Sequence, residues 1–166
     1  MARYAGSAWR SFRPDAAGRV SAPAAPRAAG AHVVAPRCRI LGVDPGSLRT
    51  GFGIIDCVPG GERQVAFGCI RTGGGDMPAR LKRIYDAIGE LVAEHRPDEI
   101  AIERVFVARN PDSAIKLGQA RGAAICAAAS LGAAVHEYAP RAIKRAVSGY
   151  GAADKRQVAQ LVAMLL

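Results

Sequence analysis

Two acidic residues, Asp44 and Glu103, each end a short apolar segment of the chain. Segment 38–44 is followed by turn-forming residues at 45–47, and segment 99–103 has the same apolar character. A hard divalent cation such as Mg²⁺ binds oxygen ligands, and the ends of neighbouring strands hold such ligands rigidly. Either acid alone fits a turn or a solvated charge better, but together they favour a metal site. Their types and spacing do not name a reaction.

The segments between these acids predict how they would be brought together. Two further strands are expected at 50–56 and 64–72, forming an antiparallel meander with the first strand. Apolar residues recur at helical spacing within 76–97, with Asp76 as the expected N-cap. This helix would return strand 99–103 parallel to the first, because such crossovers join parallel strands. Both acids should therefore end at one edge of the sheet.

The second half of the chain alternates between helical and strand patterns. An alanine-rich helix is expected at 112–131, followed by a strand at 133–138 and basic helical material after Pro140. Three leading strands followed by this alternation predict an α/β protein with a mixed sheet. Asp154 is interpreted as a helix N-cap and not as a metal ligand.

The net charge of +9 favours a polyanionic partner, because basic side chains release counterions from phosphates. Residues 1–36 are rich in Ala, Arg and Pro and are predicted to be a disordered extension, with one folded domain at 37–166. The extension holds five arginines and one acid, a contribution of +4, so +5 remains for the domain. The domain itself is therefore basic.

Cysteine spacing and hydropathy indicate the compartment. The four cysteines include no C-x-x-C pair, which argues against a zinc site and a disulfide framework and favours buried thiols. The apolar run at 122–135 is shorter than the roughly 18 residues that a membrane span needs. These patterns predict a soluble cytoplasmic protein with no membrane partner.

Several motifs occur in order: Ile-Leu-Gly-Val-Asp-Pro-Gly-Ser at 40–47, Thr-Gly-Phe-Gly at 50–53, Ile-Glu-Arg-Val-Phe at 102–106, Asn-Pro-Asp-Ser-Ala at 110–114, Lys-Leu-Gly-Gln-Ala-Arg-Gly at 116–122, Glu-Tyr-Ala at 137–139 and Gly-Ala-Ala-Asp-Lys at 151–155. Any one of them is a weak signal. In combination, over roughly residues 39–166, they resemble the RuvC family of Holliday-junction resolvases.

This resemblance implies a ribonuclease-H-like fold, with a mixed five-stranded sheet flanked by helices. It implies a homodimeric, structure-specific endodeoxyribonuclease that binds four-way junction DNA and resolves it by paired nicks during recombination and repair. The cofactor would be Mg²⁺, with Mn²⁺ as an expected substitute, and a branch-migration motor complex of the same pathway would be a partner.

The resemblance also assigns roles to residues. Asp44 and Glu103 match the first two of four metal-binding carboxylates in the family. Lys144 and Lys155 match basic positions near the scissile phosphate, and Phe106 matches an aromatic position that stacks on an opened base. The family's other two carboxylates form an Asp-x-x-Asp motif on a final helix, which is expected to be missing from the chain as written.

Three other interpretations stay open. A junction-binding protein with impaired catalysis would follow from the missing carboxylates. An actin-like ATPase would use the Asp44-Pro45-Gly46 turn against phosphate, although the chain lacks a recognisable second phosphate motif. A general ribonuclease-H-like nuclease would cut RNA or RNA/DNA hybrids instead of a junction.

Overall fold

The computed structural model describes residues 35–104 and 110–166 of the 166-residue chain. Within these ranges the chain forms five strands and four helices: β1 (Cys38–Asp44), β2 (Arg49–Val58), β3 (Gly61–Arg71), α1 (Met77–His95), β4 (Glu99–Glu103), α2 (Pro111–Ser130), β5 (Ala134–Tyr138), α3 (Pro140–Ser148) and α4 (Lys155–Leu165).

The strands form one mixed sheet in the order β3-β2-β1-β4-β5. β1 pairs antiparallel with β2, and β2 pairs antiparallel with β3, as expected for a meander. β4 is parallel to β1 and to β5 because helices connect them. The predicted mixed five-stranded sheet is therefore confirmed, and the two strands that end in Asp44 and Glu103 are direct neighbours.

One face of the sheet, the core face, is covered by α1 and α2. Alternate residues of the central strands are buried there with apolar residues of both helices: Leu41, Val43, Phe52, Ile54, Ile100, Ile102, Ile84, Ile88, Ala120 and Ala124. The small alanine side chains of α2 allow it to approach its neighbours closely. Because successive side chains of a strand point to opposite faces, Gly42, Asp44 and Glu103 lie on the second face.

Helix ends follow the capping chemistry of the sequence. The Asp76 side chain accepts a hydrogen bond from the Ala79 backbone nitrogen at 3.0 Å, which confirms the predicted N-cap of α1. Asp154 accepts bonds from the backbone nitrogens of Arg156 and Gln157, which confirms it as the cap of α4. Helix α2 begins one residue earlier than predicted because Asn110 is its N-cap.

Other sequence-based expectations also differ from the structure. β3 begins at Gly61 and not at residue 64, because the polar residues after the β2–β3 turn also pair with β2 through a register shift at Ile54/Ile55. The cysteines are also less buried than predicted. Cys126 is exposed, and the other three are half-buried. In the described ranges, no helix is long and apolar enough to cross a membrane.

A charged cluster stabilises the end of the sheet away from Asp44 and Glu103. Asp56, whose side chain is 1% exposed, accepts hydrogen bonds from Arg39 Nε at 2.7 Å and from Arg63 Nη2 at 2.8 Å. Arg39 also donates Nη1 to the His95 carbonyl at the end of α1. These bonds with Arg39 and Arg63 hold the pKa of Asp56 below its ordinary value, although burial opposes the shift.

Candidate active site

The sheet places Asp44 and Glu103 side by side. The last paired residues of β1 and β4 are Val43 and Ile102, so the two acids follow in register at the carboxyl ends of adjacent parallel strands. Both lie on the second face, with Asp44 exposed and Glu103 half-buried. Gly51 lies opposite Asp44 on β2, where a Cβ atom would stand 3.7 Å from the Asp44 Cβ. The predicted convergence of the two acids at one edge is confirmed.

The electrostatics of Glu103 reflect this crowding. Burial raises the pKa of Glu103 above its ordinary value, and the negative charge of Asp44 raises it further. Lys155 and Lys144 act in the opposite direction and lower that pKa. Two acids and two lysines therefore form one cluster of interacting charges, from helices and strands far apart in sequence.

Local structure brings the two lysines to the acids. Helix α3 starts directly after β5, whose Tyr138 is the register partner of Glu103, so Lys144 lies a little over one turn from the site edge. The Ser148 hydroxyl donates to the Lys144 carbonyl at 2.7 Å, and the chain then turns towards α4. Lys155 is the first residue of α4, directly after the Asp154 cap.

A close approach between α3 and the segment before α4 fixes this arrangement. A Cβ atom at Gly151 would lie 3.2 Å from the Arg141 carbonyl oxygen, so a side chain there would press on the α3 backbone. The absence of a side chain at this position lets the two helices sit close together. Because Lys144 is on α3 and Lys155 begins α4, this close packing helps to keep both lysines near the acids.

The turn after Asp44 is held by buried hydroxyl groups that the sequence analysis did not identify. Thr50, which is fully buried, donates its Oγ1 to the Gly46 carbonyl at 3.0 Å and accepts from the Gly46 nitrogen at 3.2 Å. A Cβ atom at Gly46 would lie 2.2 Å from the Arg49 carbonyl oxygen, so only glycine fits without a backbone shift. The Thr50-Gly-Phe-Gly motif contains this threonine, but its partner is four residues earlier.

A second unpredicted contact lies beside Glu103. Glu137 of β5 forms ion pairs with Arg121 of α2 and, at 3.7 Å, with Arg104. The Arg104 nitrogen also donates to the Tyr138 carbonyl at 2.8 Å. These contacts hold the chain directly after Glu103. All three residues lie in motifs of the sequence analysis, at 102–106, 116–122 and 137–139, but the motifs alone did not show that they meet.

The donor set fits a hard divalent cation. Mg²⁺ is commonly held by one or two carboxylates together with substrate phosphate and water, and Asp44 and Glu103 provide two carboxylates on a rigid frame. Within residues 35–104 and 110–166, no three His, Cys, Asp or Glu side chains form a group that could hold a metal. Asp154 serves as a helix cap. Phe106 lies outside the described residues.

Comparison with known proteins gives the family. Residues 40–166 match the family described as crossover junction endodeoxyribonuclease RuvC. The protein of that name from Methylococcus capsulatus is 56% identical over 128 residues, which cover 77% of each chain. The one from Alkalilimnicola ehrlichii is 54% identical over 128 residues, covering 77% of this chain and 78% of that one.

A solved structure agrees with the sequence relatives. The chain superimposes on Thermus thermophilus RuvC in complex with Holliday junction substrate with a TM-score of 0.73 and 30% sequence identity, covering 78% of this chain and 80% of that one. The family hydrolyses phosphodiester bonds in DNA and depends on metal. This protein belongs to the RuvC family of crossover junction endodeoxyribonucleases.

Proposed function

We propose that this protein binds four-way DNA junctions and nicks them in a reaction that requires Mg²⁺ bound by Asp44 and Glu103. The observation that carries the proposal is the register of β1 and β4, which sets these two carboxylates side by side at the end of the sheet. Lys144 and Lys155 add positive charge at the same place. Junction DNA is the substrate named for the matched Thermus thermophilus structure.

The carboxylates would act as ligands of the cation. When bound, the metal would activate water and stabilise the leaving 3′-oxygen. Asp44 is exposed and accessible to a hydrated ion, whereas Glu103 is half-buried and would bind the ion only in its ionised form. Because its pKa is raised by burial and by Asp44, protons compete with metal at Glu103 more strongly than at an ordinary glutamate.

The two lysines have a double role in this proposal. They neutralise the phosphate that lies over the carboxylates, which lowers the repulsion between DNA and the acidic site. They also lower the pKa of Glu103 and so keep it ionised for metal binding. Loss of either lysine should weaken DNA binding and, at the same time, raise the metal concentration that Glu103 needs.

The finer features of the resolvase function are part of the same proposal. Paired nicks need two equivalent sites, and the approximate two-fold symmetry of a four-way junction favours a homodimer with a two-fold axis. Phe106 is proposed to stack on an opened base at the junction. A cytoplasmic role in recombination and repair, together with a branch-migration motor complex, completes the expectation, and Mn²⁺ is expected to substitute for Mg²⁺.

The test compares Asp44→Asn and Glu103→Gln with the wild-type chain. Each change removes metal-binding charge and alters shape little, so junction nicking in a Mg²⁺ titration should fall to background while junction binding without metal is retained. Glu90→Gln is the matched control because Glu90 is an exposed acid on α1. If binding and nicking fall together in both site variants, the acids have a structural role and the proposal is wrong.

A junction-binding protein with impaired catalysis is the second candidate. In its favour, no third acidic side chain joins Asp44 and Glu103 within the ranges that the structure describes. Wild-type protein that binds the junction but does not nick it at any Mg²⁺ or Mn²⁺ concentration would establish this alternative. Metal-dependent nicking that is lost in Glu103→Gln would exclude it.

A further inference from the structure

Two arginines face each other at the active-site end of the sheet. Arg49 at the start of β2 and Arg71 at the end of β3 are register partners, and both are exposed. Neither side chain forms a hydrogen bond or an ion pair with any residue in 35–104 or 110–166. Like charges directly opposite each other on neighbouring strands destabilise a sheet. The fold therefore tolerates a repulsive pair at this position.

The arginines lie on the same face as the carboxylates. Thr50, Phe52 and Ile54 are buried on the core face, so Arg49 and Gly51 are on the second face, where Gly51 is the partner of Asp44. Gly51 is two positions after Arg49 on β2, a distance of about 7 Å along the strand. Arg71 is one strand further out, so both guanidinium groups can reach DNA that lies over the acids.

The backbone beside each arginine is fixed by a buried threonine. Thr50, next to Arg49, bonds both polar backbone atoms of Gly46. Thr72, next to Arg71 and 3% exposed, donates its hydroxyl to the Ser47 carbonyl at 3.0 Å, and its nitrogen donates to the Leu48 carbonyl at 3.2 Å. These bonds tie the turn after Asp44 to the ends of both strands, so the arginine pair is held in place relative to the carboxylate.

The position of the pair complements that of the two lysines. The carboxylates lie on the central strands β1 and β4, the arginines lie on the β2–β3 side, and the lysines come from helices that follow β5. Positive charge thus flanks the acids on both sides. A DNA strand that lies across the acids would contact the lysines on one side and the arginines on the other.

We propose that Arg49 and Arg71 bind phosphates of the DNA strand that passes over the carboxylates, on the side away from the lysines. This inference rests on the proposed function, because it takes its ligand from that function. Guanidinium groups suit the task, since they bind phosphate through two parallel hydrogen bonds and always carry charge.

The experiment measures junction binding as a function of salt, by fluorescence anisotropy without divalent metal, for the full chain and for Arg49→Gln/Arg71→Gln. The control is Arg37→Gln/Arg83→Gln, which removes the same charge from an exposed arginine at the far end of β1 and one on α1. Each lost phosphate contact should weaken binding roughly tenfold and reduce the slope of log affinity against log salt by about one. The junction affinity of Arg49→Gln/Arg71→Gln should therefore fall about a hundredfold, and its salt slope should fall by about two. The control variant should stay near wild type in both quantities.

A second measurement separates binding from folding. Removal of a repulsive pair should leave the Tm of Arg49→Gln/Arg71→Gln equal to or above that of wild type. Arg49→Lys/Arg71→Lys should retain most of the salt slope, because it keeps the charge, but recover only part of the affinity.

The outcomes distinguish the inference from the function on which it rests. If wild type binds the junction and both double variants keep its affinity and salt slope, the arginine inference is wrong and the proposed function stands. An equal loss in site variant and control, or a lower Tm in the site variant alone, also overturns the inference. A wild-type chain that does not bind the junction overturns both.

Discussion

Asp56 provides a sharp test of the difference between a structural and a catalytic acid. Its carboxylate accepts three hydrogen bonds, two from Arg39 at 2.7 and 3.1 Å and one from Arg63 at 2.8 Å. Replacement by Asn preserves the shape but removes the charge that both guanidinium groups face. Asp56 is remote from Asp44 and Glu103, because it pairs with Arg39 near the opposite end of β1.

The magnitude follows from burial. Removal of one partner of a buried ion pair costs about 3–5 kcal/mol, because the remaining charge is left unpaired. The side chains of Arg39 and Arg63 are 28% and 45% exposed and can partly hydrate, so we expect the lower end of that range, about 3 kcal/mol. For a chain of this size the Tm should fall by roughly 10 °C. Arg63→Gln should cost about 1 kcal/mol or less, because that partner is nearly half exposed.

The effect should depend on pH in a defined direction. Because the arginines hold the pKa of Asp56 below its ordinary value of 3.8, ionised Asp56 stabilises the fold above that value. The stability difference between wild type and Asp56→Asn should therefore be constant near neutral pH and shrink as the pH falls below about 4. Above that range, the difference should not vary.

Urea unfolding followed by circular dichroism at several pH values measures the free energy of unfolding for both chains. A nicking assay at matched folded concentration should give equal rates, since the cluster does not contact the site. A purely structural role for Asp56 is refuted if Asp56→Asn is as stable as wild type at neutral pH, or if it folds normally and loses nicking.

Further predictions concern the site and the ends of the fold. Glu103→Gln should raise the Tm of the metal-free protein at neutral pH, because it removes a charge that burial and a neighbouring acid disfavour, and this gain should vanish below about pH 4 in thermal scans. The Mg²⁺ concentration for half-maximal nicking should rise as the pH falls towards the ordinary glutamate pKa of 4.5, because protons compete at Glu103; a midpoint that stays constant down to that pH would contradict this. Gly46→Ala should lower the free energy of unfolding by about 1–3 kcal/mol, because its Cβ meets the Arg49 carbonyl oxygen. Gly53→Ala has open space around its Cβ and should not lose stability through a clash; urea unfolding of both variants measures the difference. Deletion of residues 1–36 should change junction affinity by only about threefold at fixed salt, since these residues, with five arginines and one acid, are expected to add electrostatic attraction alone; loss of junction selectivity would show otherwise.

The sheet and the acid pair could be predicted because they depend on local patterns. Apolar runs of five to seven residues, one long amphipathic helix and the rule that helical crossovers join parallel strands were enough to place Asp44 beside Glu103. The caps at Asp76 and Asp154 could be read from residue type and position.

The missed features depend on contacts between distant segments. The bond from Thr72 to the turn after Asp44 joins residues 25 apart, and nothing near Thr72 in the sequence signals it. Asp56 looked like an ordinary strand residue because its partners, Arg39 and Arg63, are defined by strand register. The strand register determines which charged side chains are neighbours, and this register depends on the pairing of all strands in the sheet.

Asp56 and Glu103 show how one fold treats a buried acid and a half-buried acid in opposite ways. Asp56 is supplied with two guanidinium groups, and its pKa falls although burial opposes the change. Glu103 faces another carboxylate, and its pKa rises although two lysines oppose the change. A structural acid has its charge satisfied by the protein itself, whereas an acid whose charge the protein leaves unsatisfied can gain stability from a cation. Arg49 and Arg71 repel each other as Asp44 and Glu103 do, but with positive charges. An anion such as a DNA phosphate would relieve that repulsion. Unsatisfied charges of both signs lie on one face at one end of the sheet, which is where a divalent metal and the DNA strand would together neutralise them.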